Sequence, residues 1–239
     1  MAISELQLPQ GVSAHAYKSP VLLAEGLALA VAKQLSDAID TQGSATLVVS
    51  GGRSPVAFFQ HLAKQKLEWS KVVVSLADER WVPVEHPDSN AGLLKRYLLQ
   101  GPAASAQFLS LYSASANLEQ AAEQADRLLA ELPRIDVLIL GMGDDGHTAS
   151  LFPDAANLAE GLDPANPAAL LAVVPPAAPH TRISMTLAEI LRSGKLYLAI
   201  AGDNKRRVLE HASRTLSAVQ PVSHLLQQTE NPLHVYWAA

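Results

Sequence analysis

Apolar residues recur at helical spacing between Val21 and Ile39, where Leu22, Leu23, Leu27, Val31, Leu35 and Ile39 make one stripe. After this the pattern changes. "ATLVVS" (Ala45–Ser50), "KVVVSLAD" (Lys71–Asp78), "IDVLILG" (Ile135–Gly141) and "KLYLAIAG" (Lys195–Gly202) are short aliphatic runs, as expected of strands covered on both faces. "LLAVV", "RISMTL" and "LHVYWA" are further strand candidates. Helical segments alternate with them: "PVAFFQHLAKQ" from Pro55, "SNAGLLKRYLL", "NLEQAAEQADRLLAEL" from Asn117, and a stretch from Asp203. Asn117 with Gln120 three residues on has the form of a capping box. The alternation predicts an α/β, Rossmann-like fold in three layers, a mostly parallel sheet with helices on both faces. No repeat or composition break divides the chain, so residues 1–239 are read as a single domain. The proline-rich stretch Pro164–Pro179 is taken as a surface excursion and not as a linker.

Composition changes this picture little, but it removes classes. A chain of 239 residues with 49% apolar and 17% charged residues buries a sizeable core. The net charge of −5 argues against nucleic acid as the main partner, while leaving room for a small anion, which local charge decides. With no cysteine, disulfides and thiolate metal sites are excluded. "MAISELQLPQ" lacks the form of a signal peptide, and no apolar window is long enough to span a membrane. A cytoplasmic protein is expected. Nothing in the sequence fixes the oligomeric state, and a monomer is the working expectation.

In parallel sheets ligands bind beyond the carboxyl ends of the strands. Four loops at such ends hold the unusual residues. "SGGRSP" places Gly51 and Gly52 after a strand, with Ser54 suited to an N-cap and Pro55 to the first helical position. Backbone N–H donors then converge as phosphate binding requires, and Arg53 adds a fork of donors. The loop is neither a Walker A motif nor G-x-G-x-x-G, and a tight turn with a routine cap accounts for it equally. In "ADERWVP", Asp78 and Glu79 are placed to orient Arg80 toward a ligand, the alternative being a surface ion cluster. In the "HPDSN" that follows, Asp88 or Ser89 suits a helix cap.

The third loop is "GMGDDGHTASLFP" (Gly141–Pro153), where Gly141 and Gly143 permit a sharp turn. Asp145 and His147 are too close in sequence to share a helix face. In a tight turn, however, the carboxylate can fix the imidazole tautomer and support its cation, as proton transfer near neutral pH requires. An exposed or capping histidine is the alternative. The fourth loop is "GDNKRRVLEH", in which Asp203 suits a cap and Lys205, Arg206 and Arg207 fall in the first two turns. Cations there oppose the helix dipole unless an anion binds. Lys205 is the ligand candidate, and Arg206 and Arg207 read as a solvated face near Asp203 and Glu210. Arg182, opening "RISMTL", is a further cation with either a ligand or a structural role. Taken together, the loops describe an anion cradle, several cations and a histidine with its carboxylate. That set suits acid–base chemistry on a small phosphorylated molecule.

In order along the chain, "SGGRSP", "ADERWVP…HPDSN", "GMGDDGHTASLFP", "RISMTL" and "GDNKRRVL" resemble the blocks of the 6-phosphogluconolactonase family. The third block is the most specific. The resemblance implies hydrolysis of 6-phospho-D-glucono-1,5-lactone to 6-phospho-D-gluconate, the second step of the oxidative pentose phosphate pathway. It also implies no metal, no organic cofactor, and the fold shared with glucosamine-6-phosphate deaminase, ribose-5-phosphate isomerase and CoA transferases. On this reading His147 is the base and Asp145 supports it, while Gly51, Gly52, Arg53, Ser54, Asp78, Arg80, Arg182 and Lys205 meet the phosphorylated lactone. Asp144 is given no role. An aldose–ketose isomerase or deaminase of the same fold is one alternative. That relative is expected to carry Asp-Glu-Tyr where this chain has Asp78-Glu79-Arg80, and an acid in the block where this chain has Leu151 and Phe152 before Pro153. A non-catalytic sugar-phosphate sensor is the other alternative. It wants a DNA-binding module, and the residues before Ala45 read as one apolar-striped helix.

Overall fold

The apolar stripe forms the first helix. In the computed structural model, which describes residues 7–239, α1 spans Pro20–Gln42. Ser19 caps it by accepting the Leu22 N–H, and Gly43 ends it in the left-handed conformation at φ 84°. Leu23, Leu27, Val31, Leu35 and Ile39 face the core. Leu22 does not, and is 45% exposed. Ahead of the helix lies a strand, β1 (Val12–Tyr17), where the sequence predicts only helix. "VSAHAY" carries too little apolar alternation to announce itself.

The chain continues through β2 (Ala45–Val49), α2 (Val56–Leu62), β3 (Val72–Leu76), β4 (Asp78–Arg80), α3 (Asn90–Tyr97), β5 (Gln107–Phe108), α4 (Leu118–Ala130) and β6 (Val137–Leu140). It then forms α5 (Leu158–Gly161), β7 (Leu170–Val173), β8 (Arg182–Met185), α6 (Leu187–Arg192), β9 (Lys195–Ala201), α7 (Asp203–Ala212), α8 (Val222–Gln227) and β10 (Leu233–Ala238). Seven strands form one sheet in the order β1-β10-β9-β6-β2-β3-β5, with every pairing parallel. Every residue of β2 and β6 is buried, because helices cover both faces.

The remaining three strands differ from the sequence reading. "LLAVV" and "RISM" do not join the parallel sheet. They pair antiparallel as β7 and β8, and β4 completes a second sheet in the order β4-β8-β7. The run "KVVVSLAD" is likewise two strands. Ala77 is the joint: its N–H donates to the Val49 carbonyl at the end of β2, and its carbonyl accepts the Met185 N–H of β8. The small sheet is thereby anchored at the carboxyl ends of the large one. β7 also gives regular structure to the middle of the proline-rich excursion.

Two helix starts are also displaced from expectation. Pro55, not Ser54, occupies the N-cap position of α2, and no side chain caps it. Gly202, at φ 88°, precedes α7, so Asp203 is its first residue and not its cap. Asn117 caps α4 where the sequence places it, accepting the Gln120 N–H, and of the two candidates at α3 it is Ser89, not Asp88, that accepts the Gly92 N–H.

The position of the site follows from strand order. From β2 the chain moves outward to β3 and β5, then returns to lay β6 on the other side of β2. The loops leaving β2 and β6 therefore diverge from adjacent strands, and a crevice opens between them. The Ser50 N–H donates to Ile139 O across this gap at 2.8 Å.

Candidate active site

A cleft of about 370 Å³ opens at that crevice. Gly51, Gly52, Arg53, Ser54, Asp78, Arg80, His147, Arg182 and Lys205 all line it. Asp145 stands behind the lining, in contact with His147. The large sheet supplies three of the walls through the loops after β2, β6 and β9, and the small sheet supplies the fourth.

The loop after β6 holds the imidazole tightly. Asp145 Oδ1 lies 2.6 Å from His147 Nδ1 and also accepts the His147 backbone N–H at 3.1 Å. Nε2 is therefore the nitrogen left for chemistry. The turn is closed by Gly143 N–H to His147 O and Gly146 N–H to Gly143 O. Gly146 sits at φ 80°, and a Cβ on Gly143 would strike the His147 ring and the Asp145 carboxylate. Phe152 packs on the imidazole with ring centroids 4.4 Å apart.

On the small sheet, Arg80 and Arg182 are direct register partners across β4 and β8. Two like charges opposite each other repel. Burial, and next the Arg80 charge, lower the pKa of Arg182 from the ordinary guanidinium value. Arg182 is fixed by the carbonyls of His180 and Pro179, with Asp78 Oδ2 at 3.9 Å from Nη1 and the Phe152 ring beneath. Arg80 Nη1 donates to the Asp88 carbonyl, and its buried Nε has no partner.

The two acids ahead of Arg80 do not orient it in the way the sequence invites. Asp78 accepts from Ser150 Oγ at 2.6 Å and faces Arg182. Glu79 is fully buried and turns away to the start of α3, where it accepts the N–H groups of Asn90 and Ala91 and the Ser89 hydroxyl. Burial raises its pKa above the ordinary carboxylate value, and those N–H donors partly offset the rise.

Lys205 reaches from α7 to donate to the Met142 carbonyl at 2.6 Å, beside the histidine loop. Asn204 donates to Asp144 at 3.0 Å, a second tie between the same segments. Arg206 turns to Asp203 and Glu210 instead, at 3.6 and 3.8 Å, and Arg207 is exposed. Across the cleft Gly52 adopts φ 96°, a conformation open to glycine. Arg53 and Ser54 are exposed at the rim. The Ser50 hydroxyl, also on the lining, is buried without a partner.

A family model described as glucosamine-6-phosphate isomerases/6-phosphogluconolactonase matches residues 18–237. The chain belongs to that family. Among other members of the glucosamine-6-phosphate isomerase/6-phosphogluconolactonase family, the 6-phosphogluconolactonase of Pseudomonas putida is 49% identical over 238 residues, covering 99% of this chain and 97% of that protein. The 6-phosphogluconolactonase of Pseudomonas aeruginosa is 49% identical over 239 residues, covering 99% of each. The crystal structure of a 6-phosphogluconolactonase from Shewanella baltica superposes with a TM-score of 0.93 at 37% identity, covering 97% of this chain and all of that one.

Three residues of this family member complete the cleft without having been singled out in the sequence. Asn90 is buried, donates to the Asp78 carbonyl at 2.9 Å, and fills the space a Gly51 side chain would need. Ser150 holds Asp78. Phe152 separates His147 from Arg182, touching both. Asn90 and Ser150 lie within the quoted blocks but were given no role, being ordinary polar residues near a helix start and a turn. Phe152 was marked only as the place where an acid is missing.

Proposed function

We propose that the chain hydrolyses 6-phospho-D-glucono-1,5-lactone to 6-phospho-D-gluconate, as a carboxylic ester hydrolase of the oxidative pentose phosphate pathway acting in the cytoplasm. The observation that carries the reading is the meeting, in one cleft, of an Asp145-supported imidazole with the Gly51–Gly52 turn and four cationic side chains, Arg53, Arg80, Arg182 and Lys205. A general base and an anion site in one cleft fit a lactone that carries a phosphate. The relatives named above add weight, since two of them match over nearly their whole length.

In this mechanism the phosphate is held by the turn at 51–54 and Lys205, with the Arg80–Arg182 pair supplying further positive charge. An anion there relieves the repulsion between the two guanidiniums. His147 Nε2 removes a proton from water as the water attacks the lactone carbonyl carbon. Asp145 holds the ring and stabilises its cation. When the tetrahedral intermediate collapses, the C1–O bond to the ring oxygen breaks. The imidazolium returns the proton to that oxygen, which becomes the 5-hydroxyl. Developing charge on the carbonyl oxygen needs donors. The N–H groups of Gly143, Gly146 and His147 are already committed within their loop. The 51–52 turn is engaged with the phosphate, so a cationic side chain or another N–H of the 141–147 loop takes the task. Phe152 against His147 weighs against an isomerase reading, because an apolar ring occupies the ground where that chemistry wants an acid.

The test follows acid release from the phosphorylated lactone at slightly acidic pH, with the spontaneous opening subtracted. Catalysed release that disappears in His147→Ala is expected. A rate equal to the spontaneous one in the intact protein would sink the proposal.

A further inference from the structure

The "HPDSN" segment contains a feature that the lactone chemistry does not use. His86, Asp88 and His180 each offer a ligand atom, and these atoms all lie within 4.8 Å of one another. His180 Nε2 is 2.9 Å from Asp88 Oδ2, and His86 Nδ1 is 3.9 Å from the same oxygen. The imidazoles meet edge to face with centroids 5.0 Å apart. Donor atoms around a tetrahedral zinc, with bonds of about 2.0–2.2 Å, sit roughly 3.3 Å from each other. The observed spacings bracket that value, so modest side-chain rotations close the set. The three come from two segments far apart in sequence, and His180 holds a left-handed backbone at φ 66° to complete the cluster.

We propose that His86, Asp88 and His180 form a binding site for a borderline transition-metal ion, zinc being the type case. Two imidazoles and one carboxylate select such an ion over magnesium or calcium, which favour all-oxygen sites. The His86 ring is already in a suitable tautomer. Its Nδ1 accepts the Asp88 backbone N–H at 3.1 Å, which assigns the proton of the neutral ring to Nε2. Metal binding exchanges that contact for the metal bond. The site is separate from His147, and it bears on the cleft through the backbone. The Asp88 carbonyl holds Arg80, and the His180 carbonyl holds Arg182. An ion here ties together the two segments that carry the guanidinium pair. Arg80 opposes a further cation nearby, which weakens the binding. The role is a structural cross-link, not a step in lactone hydrolysis.

The full chain, stripped with a chelator and desalted, is titrated with zinc by calorimetry and with cobalt(II) by visible absorption. One equivalent is expected to bind, with a d–d band of tetrahedral intensity and a rise of several degrees in Tm at saturating zinc. His180→Gly suits the local backbone and removes only the ligand, and Asp88→Asn keeps the carbonyl that holds Arg80. Both variants, checked for fold by circular dichroism, are expected to lose at least tenfold in affinity, while His147→Ala binds zinc as the parent does. No saturable binding, or unchanged affinity in His180→Gly and Asp88→Asn, overturns the proposal. So does loss of the site in His147→Ala, which would place the ion in the cleft. None of these readouts involves the lactone, so this inference and the proposed hydrolysis fail separately.

Discussion

At the scale of single residues, the proposed chemistry turns on the imidazole at 147 and what surrounds it. General-base assistance contributes roughly 10²–10⁴-fold, so His147→Ala is expected to lose about that factor in kcat while its circular dichroism spectrum is retained. Gly143 is a sharper probe, because it touches no substrate in the proposed mechanism. A methyl group there would overlap His147 Nδ1 and Asp145 Oδ1. Gly143→Ala is therefore expected to lower kcat as strongly as removing Asp145, with a much smaller change in KM. Parent-like kcat would show that the Asp145–His147 contact is dispensable. Lys205→Ala is expected to raise KM for the phosphorylated lactone and to leave the unphosphorylated lactone unaffected. Equal losses on both would assign Lys205 only to its Met142 tether. These residues were legible in the sequence because glycines, paired acids and a lone histidine are conspicuous after an aliphatic run. The role of Glu79 at the start of α3 was not, because a buried acceptor for N–H groups eleven residues away leaves no local mark.

At the scale of elements, the short strand β4 does two things by alternation. Asp78 and Arg80 face the cleft, while Glu79 faces the start of α3. Glu79→Ala strands the N–H groups of Asn90 and Ala91 in a buried place, at about 1–3 kcal/mol for each unsatisfied group. A matching fall in the urea midpoint is expected, with Glu79→Gln recovering part of it. A second effect belongs to α8 and β10. Burial lowers the pKa of His224, and burial, Lys195 and His15 lower that of His234, both from 6.5. The unfolded chain therefore takes up these protons first as pH falls. Stability contributed by the neutral rings is present above 6.5 and is lost on acidification below it. The urea midpoint is expected to drop between about pH 7.5 and pH 5.5, and less steeply with both histidines changed to glutamine. An unaltered slope would remove these two rings as the cause.

At the scale of the whole molecule, the cleft is lined from both sheets, so a ligand bound there would bind only the folded chain. At about one hundred times its Kd such a ligand adds about 2.7 kcal/mol, which for a domain of this size means roughly 5–10 °C in Tm. 6-Phosphogluconate is expected to give a shift of that order, and Arg182→Ala to reduce it. No shift at any concentration would argue that the cleft does not bind the product. The sequence by itself determined the parallel sheet, the long helix with its Leu23-to-Ile39 face, the cap at Asn117, and the loops in which unusual residues gather. Each of these is written in local periodicity or in neighbouring residues. Only the tertiary structure decided that "LLAVV" and "RISM" leave the large sheet, that β1 exists, and that Arg80 stands opposite Arg182. It alone also placed Phe152 between His147 and Arg182, and His180 beside Asp88. Strand pairing and partner choice depend on which distant segment offers a free edge or a complementary group, and no window of consecutive residues contains that information.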